Sequence, residues 1–261
     1  MEIKFSHVSG LSLNNLSFVI PKGEIVGVYG KGGSDLLKLI SLKEKSKGII
    51  YYDKIRKLSR NYYLFKNEMM LVEKEFANDF GLDNIYEYFV YYISYYKINV
   101  KNTDKKIKDA IKIVGLTEDI LNRRFSSLTH SEMKFLQLAL AFIYNPKVLL
   151  LDDILAGLDL VNKRKIIKIF WRLRDKFHKT IIIYSNDINL LYQFTSYMIV
   201  LSSSVYSGKS KDIFYKIDLG DENIPDIVYF NKLVEMKKKV KLPHREDVKD
   251  VIKDIYWNVR W

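Results

Sequence analysis

The 261 residues contain no cysteine. That excludes a disulfide framework, a thiolate metal site and a cysteine nucleophile. Histidine is scarce: His7, His130, His178 and His244 lie far apart, with no close pair of metal-ligand type, so a histidine-held metal is not expected. A long apolar run is also missing. The longest uncharged stretch, about residues 188–207, carries Asn189, Gln193, Thr195 and several serines, and is too polar for a membrane span. No apolar core follows a basic start, so no secretory signal is expected, and membrane contact would run through a partner. What is present is 48% apolar and 28% charged residues, enough for a sizeable core, and a formal charge of +12. That charge suits an acidic surface such as lipid headgroups, nucleic acid or nucleotide phosphate, or else a lysine-rich bias spread over solvated faces. Basic and acidic residues alternate along most of the chain, and the densest basic runs, Lys163–Lys165 and Lys237–Lys239, are short.

The chain is organised around residues 146–159, PKVLLLDDILAGLD. Val148, Leu149, Leu150 and Leu151 form an uninterrupted apolar run, as in a parallel strand covered on both faces. Asp152 and Asp153 follow at its end, where open α/β sheets bind ligands. Upstream, residues 2–6 and 14–20 read as short β segments before the turn Pro21-Lys22-Gly23. Residues 24–29 form an apolar strand that runs into Gly30-Lys31-Gly32-Gly33-Ser34, and 35–42 has helical spacing. Strand, glycine-rich loop and helix is the order in which backbone N–H groups hold phosphate. The specific pattern G-x-x-x-x-G-K-[ST] is absent: a Gly-Lys-Ser is missing between Ser34 and Asp35. Lys31 lies too early in the loop and Lys38 inside the helix, so neither replaces the lost lysine.

Residues 50–65 read as β, including Asn61–Phe65, and 76–100 as helical. Tyr88, Tyr91, Tyr92 and Tyr95 crowd that helical region, either as an aromatic core or as a partner groove. Thr103 is expected to cap a helix over 104–114 that Gly115 ends. Thr129 with Glu132 reads as a capping box in front of a helix buried nearly all round, which Pro146 terminates. A basic helix over 161–177 and strands at 180–185 and 197–203 complete the pattern.

In this order the pieces resemble the nucleotide-binding subunit of an ABC transporter over residues 1–217. Residues 30–34 look like a truncated Walker A loop, and Leu128–Glu132 (LTHSE) stands where that family has its signature. Leu149–Asp153 looks like Walker B, Ala156-Gly157-Leu158-Asp159 like the D-loop, and Ser185–Ile188 like the switch region. Residues 199–214 look like the family's closing strand and hairpin. Lys66 or Asn67 falls near the position of the Q-loop glutamine. The resemblance implies an α/β ABC-type ATPase domain: a P-loop NTPase-like, mostly parallel sheet flanked by helices, with an N-terminal antiparallel β segment. A helical subdomain is expected at about 76–135. Residues 218–261 would be a small helical extension, possibly for dimerisation; Ile224-Pro225 and KLPHREDVKDVIKDI are similar to the tail of energy-coupling-factor (ECF) transporter ATPases, or form a generic helical extension.

The resemblance further implies ATP and Mg²⁺ at a composite dimer site. Gly30, Lys31, Gly32, Gly33 and Ser34 would face nucleotide, and Asp152 would hold Mg²⁺ through water. Asp153 and Asn186 stand at the catalytic positions, where the family has glutamate and histidine. Thr129, His130, Ser131 and Glu132 would act on the partner's ATP, and Ala156, Gly157, Leu158 and Asp159 would touch the partner. Tyr88, Tyr91, Tyr92 and Tyr95 would line the groove for a membrane protein. With the lysine lost, the acid shortened and the switch histidine replaced by asparagine, the chain's own site is expected to be catalytically impaired. The implied role is a degenerate cassette subunit that pairs with an intact ATPase beneath a transmembrane coupling protein. It would sit on the cytoplasmic side of the membrane and serve vitamin or metal uptake. A non-hydrolysing scaffold or regulator, or a subunit of another ABC transporter such as an exporter, is the alternative. A nucleic-acid partner is not expected.

Overall fold

The computed structural model describes residues 1–57, 61–74, 82, 84–216, 224–229 and 231–232. The chain divides into two compact units, Met1–Ile217 and Asp218–Trp261. In the second, Tyr229 N–H donates to the carbonyl of Pro225 at 3.0 Å, closing one helical turn. The KLPHREDVKDVIKDI segment lies outside the described residues.

The first unit opens with β1 (Ile3–Gly10) and β2 (Leu13–Ile20), an antiparallel hairpin with Ile3 opposite Ile20. Alternation places Ile3, Phe5, Leu16 and Phe18 inside, and the Phe5 and Phe18 rings stack at 4.8 Å. β3 (Ile25–Gly30) and α1 (Gly33–Ile40) follow, then β4 (Lys47–Tyr52) and β5 (Ile55–Arg56). β4 adds to the hairpin and gives a four-stranded antiparallel sheet in the order β2-β1-β4-β5.

Next come α2 (Tyr62–Lys66), β6 (Met69–Val72), α3 (Ile85–Tyr95), α4 (Thr103–Ile113), α5 (His130–Tyr144) and β7 (Val148–Asp152). The chain continues through α6 (Leu160–Phe177), β8 (Thr180–Tyr184), α7 (Ile188–Phe194), β9 (Tyr197–Leu201), β10 (Val205–Lys209) and α8 (Ser210–Lys216). The second sheet has the order β10-β9-β3-β8-β7-β6; the five strands from β9 to β6 are parallel and β10 runs antiparallel at one edge. Every residue of β7 is buried, as its unbroken apolar run requires. Parallel pairing brings the ends of β6, β7, β8 and β3 to one rim, and the acid pair stands on that rim.

Two local expectations fail for physical reasons. Residues 62–66 form α2, with Asn61 at its N-cap, where a strand over 61–65 is expected. Only Phe65 is buried, stacked on Tyr52 at 4.7 Å, while Tyr62, Tyr63 and Leu64 face out, so no alternating face exists for a sheet. The cap of α4 is Asn102, whose side chain accepts from Lys105 N–H at 2.9 Å, and Thr103 is the first helical residue. The capping box of α5 forms as expected: Glu132 N–H donates to Thr129 Oγ1 at 3.2 Å, and Thr129 N–H to the Glu132 carboxylate at 2.8 Å.

Candidate functional site

The rim gathers Ser34 from α1, Asp152 and Asp153 from the end of β7, and Tyr184 and Asn186 from the end of β8. Between β3 and α1 stand only Lys31 and Gly32. Gly30 has φ +105, and a Cβ there would lie 2.0 Å from the Leu201 carbonyl oxygen, so only glycine permits this close turn. Lys31 points toward a polar cleft of about 650 Å³, lined also by Ser12, Asn14, Asn15, Ser17 and the turn Ser202–Ser204.

Ser34 lies in the first turn of α1 and donates its hydroxyl to Asp152 Oδ1 at 2.7 Å. A hydroxyl therefore faces the first acid. Asp35 turns away from the acid pair, since its carboxylate accepts the hydroxyl of Ser12 and, at 3.3 Å, the Ser12 N–H. Gly33 is buried under Tyr184: a Cβ at position 33 would sit 2.0 Å from Cδ2 of that ring. The Tyr184 hydroxyl donates to Asn186 Oδ1 at 2.7 Å, which engages the switch-position side chain within its own strand end.

Both acids are buried, with Asp152 7% and Asp153 6% exposed. Burial raises the Asp152 carboxyl above the ordinary range. The Ser34 hydrogen bond opposes this, Asp153 adds to it, and Lys38 and Lys74 pull it down. Asp153 adopts φ 49, a left-handed conformation that aspartate tolerates, and its N–H donates to the Tyr184 carbonyl at 3.0 Å. Its carboxylate meets Lys74 Nζ at 3.1 Å.

Lys74 was not among the residues singled out from sequence. β6 pairs in parallel with β7, Val72 opposite Leu151, so continuing that register two residues sets Lys74 level with Asp153. The apolar run Met69–Val72 carried this signal, because it ends as Val148–Leu151 does, just before polar residues. Lys66 and Asn67, the expected Q-loop positions, precede β6 and so lie at the opposite end of the sheet from the acid pair.

A second cluster surrounds the start of α5. Arg123 holds the capping-box Glu132 at 2.7 Å, and the Glu132 carboxylate is lowered despite desolvation by its bonds from Thr129 and Arg123. His130 Nε2–H donates to the carbonyl of Ala156 at 3.2 Å, and Asn162 Nδ2 donates to Ser131 Oγ at 3.3 Å. Asp159 caps α6 by accepting from Asn162 N–H at 2.9 Å. Residues 129–132 and 156–159 are thus tied together within one chain. Leu158 is buried, whereas Leu160 and Val161 are 70% and 62% exposed beside them.

Of the tyrosines expected in a partner groove, Tyr88 belongs to the interior: it is 4% exposed and meets Phe125 edge-on at 5.2 Å. Tyr91 and Tyr95 face outward at 37% and 65%, and Tyr92 is intermediate, stacked on Tyr96 at 5.7 Å.

The family model described as ABC transporter matches residues 13–156, more than half of the chain. The chain belongs to the ABC transporter family. Its similarity extends to the ECF transporter ATP-binding protein EcfA2 of Listeria welshimeri, 30% identical over 151 residues that span 55% of this chain and 52% of that protein. EcfA3 of Oenococcus oeni is 26% identical over 98% of this chain and 90% of its own length. Among solved structures, cbiO1 of Clostridium perfringens, part of the ABC transporter complex cbiONQ, superposes with a TM-score of 0.71 at 20% identity, covering 88% of this chain and 94% of that one. The fold is that of an ABC ATPase cassette, a family that binds ATP with Mg²⁺. No helix among the described residues is long and apolar enough to cross a membrane.

Proposed function

We propose that this chain is a degenerate ABC cassette subunit that pairs with an intact ATPase subunit and couples that partner's ATP cycle to a transmembrane protein. The observation that carries the reading is the Tyr184 ring against Gly33. The side-chain space at the head of α1 is filled from within, and the two-residue connection before it lacks the run of backbone N–H groups that cradles phosphates. The residues present therefore do not fit ATP with Mg²⁺. Asp153 and Asn186 are held by Lys74 and Tyr184 instead of awaiting a substrate. Micronutrient uptake as the transported class, and a position beneath the membrane on the cytoplasmic side, are carried over from the sequence resemblance to ECF transporter ATPases. Exposed Leu160 and Val161 beside Ala156–Asp159 support partner contact at that end, and exposed Tyr91 and Tyr95 support a groove for the membrane protein. The extension at 218–261 is assigned to dimerisation on sequence alone. The test is hydrolysis by the purified chain, by an intact partner cassette and by the pair: the chain alone should be inert and the pair active.

A second reading is favoured by one observation, the contacts of His130 with Ala156 and of Asn162 with Ser131. They keep the signature segment engaged with its own D-loop, which suits a scaffold with no ATP dependence. Partner affinity that is the same with and without ATP and Mg²⁺ would select it.

A further inference from the structure

We infer that Lys74 is the built-in counter-ion of the Asp152–Asp153 pair and stands in for a divalent cation there. The inference rests on the proposed inert state of this site and adds what replaces its metal. Two adjacent carboxylates, both more than nine-tenths buried, need partners, because burying an unpaired charge is costly. Each is satisfied from within the chain: Asp152 by the Ser34 hydroxyl at 2.7 Å, Asp153 by the Lys74 ammonium at 3.1 Å. Lys38 adds a favourable charge toward Asp152 without contacting it.

The ammonium is delivered by a clamped backbone. Lys134, 3% exposed on α5, donates its ammonium to the carbonyl of Lys74. Gln137, also buried on α5, donates to the carbonyl of Glu73 at 3.3 Å, and Lys43 pairs with the Glu73 carboxylate at 3.0 Å. Three side chains thus fix the two residues that carry the cation past the end of β6. A monovalent ammonium on a fixed base neutralises one carboxylate and leaves the second to a hydroxyl. That arrangement keeps the rim folded without any ion from solution, and it competes with one.

Manganese(II) alone is the probe, read by the paramagnetic resonance signal of free Mn²⁺, with no nucleotide present. The wild-type chain should bind Mn²⁺ at least tenfold more weakly than Lys74→Ala, and Lys74→Arg should behave as wild type. The gain in Lys74→Ala should vanish in the Lys74→Ala/Asp153→Asn double variant. Lys74 is a largely exposed side chain, so these variants should remain folded; Lys74→Met, which keeps the aliphatic stem, replaces Lys74→Ala if circular dichroism shows otherwise. Equal Mn²⁺ affinity in wild type and in both Lys74→Ala and Lys74→Met would overturn the inference, as would a gain that survives Asp153→Asn. If the chain proves inert toward ATP but gains no Mn²⁺ affinity on losing Lys74, this inference alone fails. Turnover by the wild-type chain would instead remove the reading on which it rests.

Discussion

Tyr184 and Gly33 interlock: the ring lies 2.0 Å from where a β-carbon on residue 33 would be placed. A side chain at 33 and an aromatic ring at 184 are therefore mutually exclusive in this backbone. Gly33→Ala should destabilise the chain by about 1–3 kcal/mol, the usual cost of overpacking. In a Tyr184→Ala background the same change should cost far less. A double-mutant cycle by urea unfolding measures the coupling, and purely additive effects would contradict the contact.

The bond between Ser34 and Asp152 gives a second test. Ser34→Ala leaves a buried carboxylate without its hydroxyl and should cost about 1–3 kcal/mol at neutral pH. The Asp152 carboxyl is raised in the folded chain, chiefly by burial. Its contribution to stability is thus fully present below the ordinary carboxylate pKa and is lost as pH rises through the raised folded value. Stability relative to Asp152→Asn should accordingly decline across the acid range as pH increases, which chemical denaturation at a series of pH values will show.

The tyrosine cluster on α3 predicts sensitivity to alkali. Burial, then neighbouring Tyr92 and Tyr95, push the Tyr96 phenol up to about 12. Its unfolded counterpart ionises near about 10. Stability from this group is complete below the unfolded value and is lost as pH climbs from there through the folded one. Phenolate absorbance should therefore rise late and together with loss of helix, and Tyr96→Phe should move the alkaline unfolding midpoint upward.

How legible was all this in the residues? β7 and the capping box of α5 were readable because their signals are local: an apolar run buried on both faces, and a Thr and Glu three residues apart. The helix at 62–66 was not, because aromatic residues favour strands only where a pleated face is available, and here Phe65 alone turns inward. The pairing of Ser34 with Asp152 joins residues 118 positions apart, and no local spacing announces it. Lys74 is only half signalled: the apolar run Met69–Val72 marks a strand end, but not the strand it pairs with. Its role depends on the register of β6 against β7, a pairing across more than seventy residues of chain that no local spacing encodes.

Tyrosines on the same helix should separate into two classes. Tyr88→Ala removes a buried ring and should cost about 3 kcal/mol, as large-to-small changes in cores do. Tyr95→Ala should change stability by no more than about 0.5 kcal/mol while weakening co-purification with a membrane partner. Thermal unfolding of the two variants beside a pull-down assay distinguishes core from docking surface. Equal destabilisation by both would place Tyr95 in the core.

The central claim is that this cassette does not run its own ATP site. The most direct measurement is calorimetric titration of the purified chain with ATP and Mg²⁺, followed by phosphate release from the same sample. The account predicts no saturable heat and no phosphate above background, with both appearing only when an intact partner cassette is added. Saturable binding with steady turnover by the chain alone, abolished in Asp153→Asn, would contradict it.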